Sequence, residues 1–226
     1  MDSFHNIIWH CMDGSQRQLT AGTDRARRYL KGFSPLVAFA DPERPDFAAL
    51  ETVCEPGERF YCSEWSGAVP DGWTLERDAR MLVMVWVGAV APSEEPTLAA
   101  VPLRGEDVPQ MCALAELTRP GPFDTRTIEF GEYFGVFEGD RLVAMAGERM
   151  QDRHFREVSG VCTHPDQQGR GLARRLTELV VRRELARGET PFLHVVATNT
   201  RAITLYERMG FTTAREVPVR IVSMNA

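Results

Sequence analysis

The sequence predicts an α/β protein, and three observations carry that expectation. Nearly unbroken apolar runs at Leu82–Val87 and Phe192–Ala197 have the length and content of buried strands. Leu172, Leu176, Leu179 and Val180 repeat instead at the helical period. Between such segments the chain changes period repeatedly, with Gly, Pro, Asn and Asp at the joints.

Taken in order, Leu36–Ala40, Arg59–Ser63 and Leu82–Val87 read as strands, and Pro45–Val53 as a short helix with Phe47, Leu50 and Val53 on one side. Residues Ala91–Pro96 combine two prolines with acidic and small residues, the composition of an exposed connection. A boundary there divides the 226 residues into a smaller N-terminal α/β lobe, 1–95, and a second unit, 96–226. The second unit opens with a strand at Leu98–Leu103, then a helix capped by Asp107 and stopped at Pro120-Gly121-Pro122. Tyr133–Phe137 and Leu142–Arg149 flank Glu138-Gly139-Asp140 and read as an antiparallel hairpin. Glu157–Thr163 is a further strand. A helix from Arg170 to Arg187 exposes Arg174, Glu178 and Arg182, spaced four apart, to solvent. After the central strand Phe192–Ala197, Asn199 caps a last helix that Gly210 ends. Thr212–Arg215 and Val217–Val222 supply two final strands.

Composition narrows the function classes. Hydrophobic residues make up 43% and charged residues 26%, a globular balance. A net charge of −6 gives no electrostatic reason to bind nucleic acid or an anionic membrane. Lys31 is the only lysine, which disfavours Schiff-base chemistry. The five cysteines are scattered, so neither a disulfide framework nor a zinc site is expected, and reduced thiols point to the cytoplasm. No secretory h-region is visible in Met1–Gln18, and Met81–Ala91 is too short to span a bilayer.

The segment Gln168-Gly169-Arg170-Gly171-Leu172-Ala173 joins a strand to a helix through two glycines. Glycine lets the backbone adopt positive φ and come close to a ligand, and the unpaired amides of a helix start attract phosphate oxygens. A dinucleotide fingerprint would need Gly or Ala at Arg174, and a P-loop would need Gly-Lys-Ser/Thr; neither is present.

Gln168, Gly171 and Ala173 meet the pattern Gln/Arg-x-x-Gly-x-Gly/Ala, and Val161-Cys162-Thr163-His164-Pro165 precedes it as a strand and proline turn. Asn199-Thr200-Arg201-Ala202-Ile203-Thr204-Leu205-Tyr206-Glu207-Arg208-Met209-Gly210-Phe211 follows the pattern N-x-x-A-x-x-L-Y-x-x-x-G-F. Together these segments resemble the GNAT N-acetyltransferase superfamily over about residues 98–226. The resemblance implies a mixed, mostly antiparallel central sheet flanked by helices, and acetyl-CoA as co-substrate with no metal. It leaves the first ninety or so residues unexplained. A degenerate second half of the same family is one conceivable identity for them, with no motif in its support.

The same resemblance implies the site. Backbone groups of Val161, Cys162 and Thr163 would hold the pantetheine arm, and amides of Gln168, Gly169, Arg170, Gly171, Leu172 and Ala173 the pyrophosphate. Asn199 would contact the cofactor besides capping its helix. Tyr206 stands where many relatives protonate the leaving thiolate, although packing on the apolar helix face would also account for it. The oxyanion donor would be a backbone amide where Glu157–Thr163 parts from Phe192–Ala197. For the general base, Glu157 is the first candidate, since a carboxylate early in this strand serves through water in some relatives; Glu148 is the second, and either could instead be a solvent-facing strand-edge residue. His194, inside an apolar strand, reads as a hydrogen-bonded core histidine, His164 as a turn residue, and Cys162 as a small buried residue.

The expected reaction is direct acetyl transfer from acetyl-CoA to a primary amine, small molecule or peptide. A non-catalytic acyl-CoA-binding module and an enzyme for longer acyl-CoAs are the alternatives. Arg119–Glu132, with help from the N-terminal lobe and its tryptophans Trp9, Trp65, Trp73 and Trp86, is the expected acceptor region. Neither nucleic acid nor membrane is an expected partner, and self-association, as a homodimer for instance, stays open.

Overall fold

The computed structural model describes residues 4–89, 91–92 and 98–225. Among them, eleven strands form a single sheet whose order is not the chain order, and the N-terminal half supplies its middle as well as one end.

The N-terminal half contains α1 (Ile7–Asp13), β1 (Thr20–Gly22), β2 (Ala26–Tyr29), β3 (Leu36–Phe39), α2 (Phe47–Glu51), β4 (Arg59–Ser63) and the long β5 (Trp73–Trp86). The C-terminal half contains β6 (Ala100–Pro102), α3 (Val108–Thr118), β7 (Tyr133–Glu138), β8 (Arg141–Asp152), β9 (Phe155–Thr163), α4 (Leu172–Ala186), β10 (Thr190–Val196), α5 (Thr200–Arg208) and β11 (Phe211–Met224). The sheet order is β1-β2-β3-β4-β11-β5-β10-β9-β8-β7-β6. Only β3–β4 and β9–β10 are parallel pairs, so the sheet is mixed and mostly antiparallel, as the resemblance implies.

Strand β5 runs between β10 and β11, bonded to both, and welds the two halves into one ladder. The predicted connection at Ala91–Pro96 falls largely outside the described residues. Two further expectations are corrected, and one element is added. The two final strands are one, β11, with a register shift between Thr213 and Arg215 that absorbs an extra residue. Asp107 does not cap α3 through its side chain; its carboxylate accepts from the Arg104 amide at 2.7 Å, closing the short turn ahead of the helix. The N-terminal stretch contains α1, which buries Ile7, Ile8, Cys11 and Met12 behind an outer face of polar residues.

Alternation along β8 assigns the sheet faces. Ala144 and Ala146 pack with Leu172, Leu176 and Val180 of α4, and Met145 packs with Met111 and Leu114 of α3. Further along β8, Met150 joins Ile8, Met12, Tyr29 and Phe192 in a core shared by both halves. No helix of the described residues is long and apolar enough to cross a membrane.

Candidate active site

Parallel pairing of β9 with β10 lasts three residues, ending at Glu157 opposite Phe192. Beyond that point β10 stays bonded to β5, with His194 opposite Val83, whereas β9 leaves it. The fork exposes one edge of β9 to a cleft of about 1550 Å³. On its other edge β9 has two residues, Gly160 and Val161, against Ala146 alone, a bulge in which Gly160 takes φ +63°. A Cβ at Gly160 would lie 2.9 Å from the Tyr133 ring, so both conformation and space demand glycine.

The sequence-predicted donor residues converge on this cleft. Val161, Cys162, Thr163, Gln168, Gly169, Gly171, Leu172, Ala173, Asn199 and Tyr206 all line it. Gly169 and Gly171 have φ of +81° and +73°, and nothing lies within 4 Å of a Cβ built on either. The turn therefore needs glycine for its backbone, while the space above stays open to a ligand. Gly171 provides no side-chain cap for α4, so no N-cap side chain stands over the start of the helix. The Thr163 hydroxyl is a further buried group without a partner. These features suit a diphosphate on a flexible polar arm. Arg170 is the exception among the predicted set: its side chain turns to Gln167 and to Glu138 instead of lining the cleft.

Asn199 does two things at once, capping α5 by accepting from the Ala202 amide at 3.1 Å and lining the cleft. Tyr206 packs edge-on to Phe211, with its ring largely buried and its pKa pushed up to about 12 by that burial. The phenol is thus protonated at neutral pH and available to donate. Burial pushes the Cys162 thiol up to about 11, which fits a packing residue and not a nucleophile.

The carboxylates differ from expectation. Glu157 is completely buried; Arg149 grips it with two hydrogen bonds of 2.8 and 2.7 Å, and the Met150 amide adds a third. Burial would raise its pKa, but the Arg149 charge and hydrogen bonds, helped by His194, outweigh that and hold the carboxyl at about 2. A carboxylate so stabilised as an anion is a weak base. Glu148 bonds Arg187 and accepts from the Glu132 amide, and it does not line the cleft.

Sequence reasoning missed two members of the site. His194 lines the cleft with its Nδ1 2.6 Å from Glu157 Oε1. Arg149 was read only as the end of a strand. Behind it, Gln16 donates to the Arg149 carbonyl at 2.8 Å and accepts from the Tyr29 hydroxyl at 2.6 Å, so the N-terminal half braces the group from the back. Arg119–Thr125, within the segment expected to meet the acceptor, line the same cleft, as do Tyr61, Arg77 and Met81 of the N-terminal half. None of the four tryptophans lines it; Trp9, Trp65 and Trp73 are core residues.

Residues 133–220, from β7 into β11, match the family model described as FR47-like protein. A solved structure from Novosphingobium aromaticivorans DSM 12444, described as an acetyltransferase of the GNAT family, superposes with a TM-score of 0.90 at 36% identity over 98% of both chains. The chain belongs to the GNAT acetyltransferase family. A GCN5-related N-acetyltransferase from Kribbella flavida shares the fold of this acetyltransferase at 16% identity, with a TM-score of 0.63 over 96% of this chain and 95% of that one. Mycothiol acetyltransferase from Streptomyces scabiei (strain 87.22) is 37% identical over 83 residues, 36% of the chain. The match spans only 27% of that curated relative's length.

Proposed function

We propose that this acetyltransferase passes an acetyl group from acetyl-CoA directly to a primary amine, in a complex holding both substrates. The observation that carries the reading is the shared cleft: the positive-φ glycine turn at the uncapped start of α4, Tyr206, and the residues of β9 and β10 at their fork all line it.

In this reading the pyrophosphate lies on the amides of Gly169–Ala173, and the open edge of β9 at Val161–Thr163 holds the pantetheine arm. The thioester then reaches the fork, where a β9 amide faces the developing oxyanion. The amine enters from the side of Arg119–Thr125 and Tyr61. Attack forms the C–N bond, collapse breaks the C–S bond, and the Tyr206 hydroxyl protonates the departing thiolate. The similarity to mycothiol acetyltransferases makes small aminothiols one acceptor class worth testing, beside peptides with free N-termini.

The test is release of free CoA thiol from acetyl-CoA across a panel of small amines, aminothiols and peptides, with the products identified by mass spectrometry. N-acetylated product with stoichiometric thiol release is the expected result. Acetyl-CoA binding without turnover on any amine would overturn the reading in favour of a binding module. Faster turnover with longer acyl-CoAs would keep the enzyme and change the donor.

A further inference from the structure

We infer that His194 is the general base that takes the proton from the acceptor amine, with Glu157 and Arg149 as positioning residues; the inference rests on the acetyl-transfer reading above.

Amine acylation needs a nitrogen with a free lone pair, and at neutral pH most primary amines arrive as ammonium ions. A base must therefore stand beside the thioester, at the fork. Among the described residues, two titratable side chains meet at its apex, Glu157 at the last paired position of β9 and His194 two residues past the last paired position of β10. They are not equivalent. All the acceptor capacity of Glu157 is directed into protein: Arg149 holds both oxygens, the Met150 amide one, and His194 the other.

His194 has the complementary arrangement. Its Nδ1 faces the ionised carboxylate at 2.6 Å, the geometry of a donated hydrogen bond. With the ring proton held there, the unprotonated nitrogen is Nε2. That atom has no hydrogen-bond partner among the described residues, nor is it one of the sealed polar atoms of the interior, so it opens to the cleft that His194 lines. The side chain is only 4% exposed, which means the cleft is its one route to solvent.

The other ionisable groups around the ring come from three elements. Arg149 of β8 balances the Glu157 charge. Cys11 of α1 and Tyr29 of β2 lie behind the pair, and burial raises both well above their ordinary values, so they stay neutral. Only Glu157 bonds the ring directly. A chain of contacts thus runs from Tyr29 and Gln16 through Arg149 and Glu157 to His194, each fixing the next.

The proton count closes. The ammonium gives one proton to Nε2, and the freed lone pair forms the C–N bond. As the C–S bond breaks, the second nitrogen proton leaves to solvent, and the thiolate takes the Tyr206 proton, which solvent replaces. The net products are amide, free thiol and one proton released, which Nε2 passes to the cleft water.

Three measurements test this. In His194→Gln, kcat/KM for any amine that the wild type acetylates should fall by about 10²–10³, with CoA affinity within about twofold of wild type by calorimetry. In His194→Gly, added imidazole should restore turnover, which a purely structural histidine would not permit. ¹⁵N spectra of the wild-type imidazoles provide a reading independent of whether that variant folds. They should show His194 protonated on Nδ1 and bare on Nε2 at pH 8. Activity within threefold of wild type in His194→Gln, absence of rescue in a folded His194→Gly, or an Nε2-bound proton in the wild type would each overturn the assignment. Failure of the wild type to acetylate any amine would instead sink the transfer reading, and this inference with it.

Discussion

The two ends of the cleft are built in opposite ways. The donor end is local and made of backbone: six consecutive residues, Gln168–Ala173, form the turn, and two glycines and a helix start provide its chemistry. The fork end is non-local and made of side chains: Arg149 from β8, Glu157 from β9 and His194 from β10, braced by Gln16 and Tyr29 from the N-terminal half. A site that recognises charge on a ligand can be written in a short segment. One that orients a proton needs several directions of approach, and one segment cannot supply them.

Breaking the fork end should cost the most. Arg149→Met leaves the Glu157 carboxylate buried and uncompensated, and we expect about 3–5 kcal/mol of lost stability in urea unfolding. Loss below 1 kcal/mol would mean that the pair is not sealed as described.

Acid should show the same asymmetry. The folded-state pKa of Glu157 is depressed from 4.5 to about 2. Its contribution is therefore fully present above about pH 4.5, and it is lost as pH falls through about 2. The shift corresponds to roughly 3 kcal/mol at most. Comparing urea midpoints at pH 7 and pH 3 for wild type and Glu157→Gln checks this: the variant's dependence on pH should be visibly flatter.

Tyr206 lines the same cleft. Tyr206→Phe should lower kcat by about 10² while leaving CoA affinity within about twofold. A KM effect alone would make Tyr206 a packing residue.

At the donor end the effects should be smaller and confined to the cofactor. Gly171→Ala meets no atom, so its cost is backbone strain alone, about 1–2 kcal/mol. It should appear as about a tenfold rise in KM for acetyl-CoA with kcat little changed. Smallest of all, Asn199→Ala removes the α5 cap and should cost about 1 kcal/mol in thermal unfolding.

The legibility of the site follows the same division. The glycine turn, the Asn199 cap and the position of Tyr206 could all be read from consecutive residues, because their roles depend on spacing along one helix or turn. The choice of Glu157 as base rests on its place in a strand, and position in a strand says nothing about an arginine on the neighbouring strand. His194 looked like a core residue because its neighbours in sequence are apolar; the fork that opens beside it is a property of how β9 and β10 diverge. One signal was available: an ionisable residue in each of three successive strands, Arg149, Glu157 and His194, the last of them inside an apolar run.

By itself the sequence determined the alternation of strands and helices, the family, and the turn at Gln168–Ala173, since periodicity and positive-φ glycines are local requirements. Tertiary structure decided the rest. Strand β5 enters between β10 and β11 because main-chain ladders accept any strand with a complementary face; its second half is legible as Leu82–Val87, while exposed charged residues Glu76, Arg77 and Asp78 hide its first half from pattern reading. That insertion brings α1 and β2 behind Arg149. Which carboxylate is locked, and which imidazole nitrogen meets the cleft, then follows from burial and geometry that no stretch of the chain carries alone.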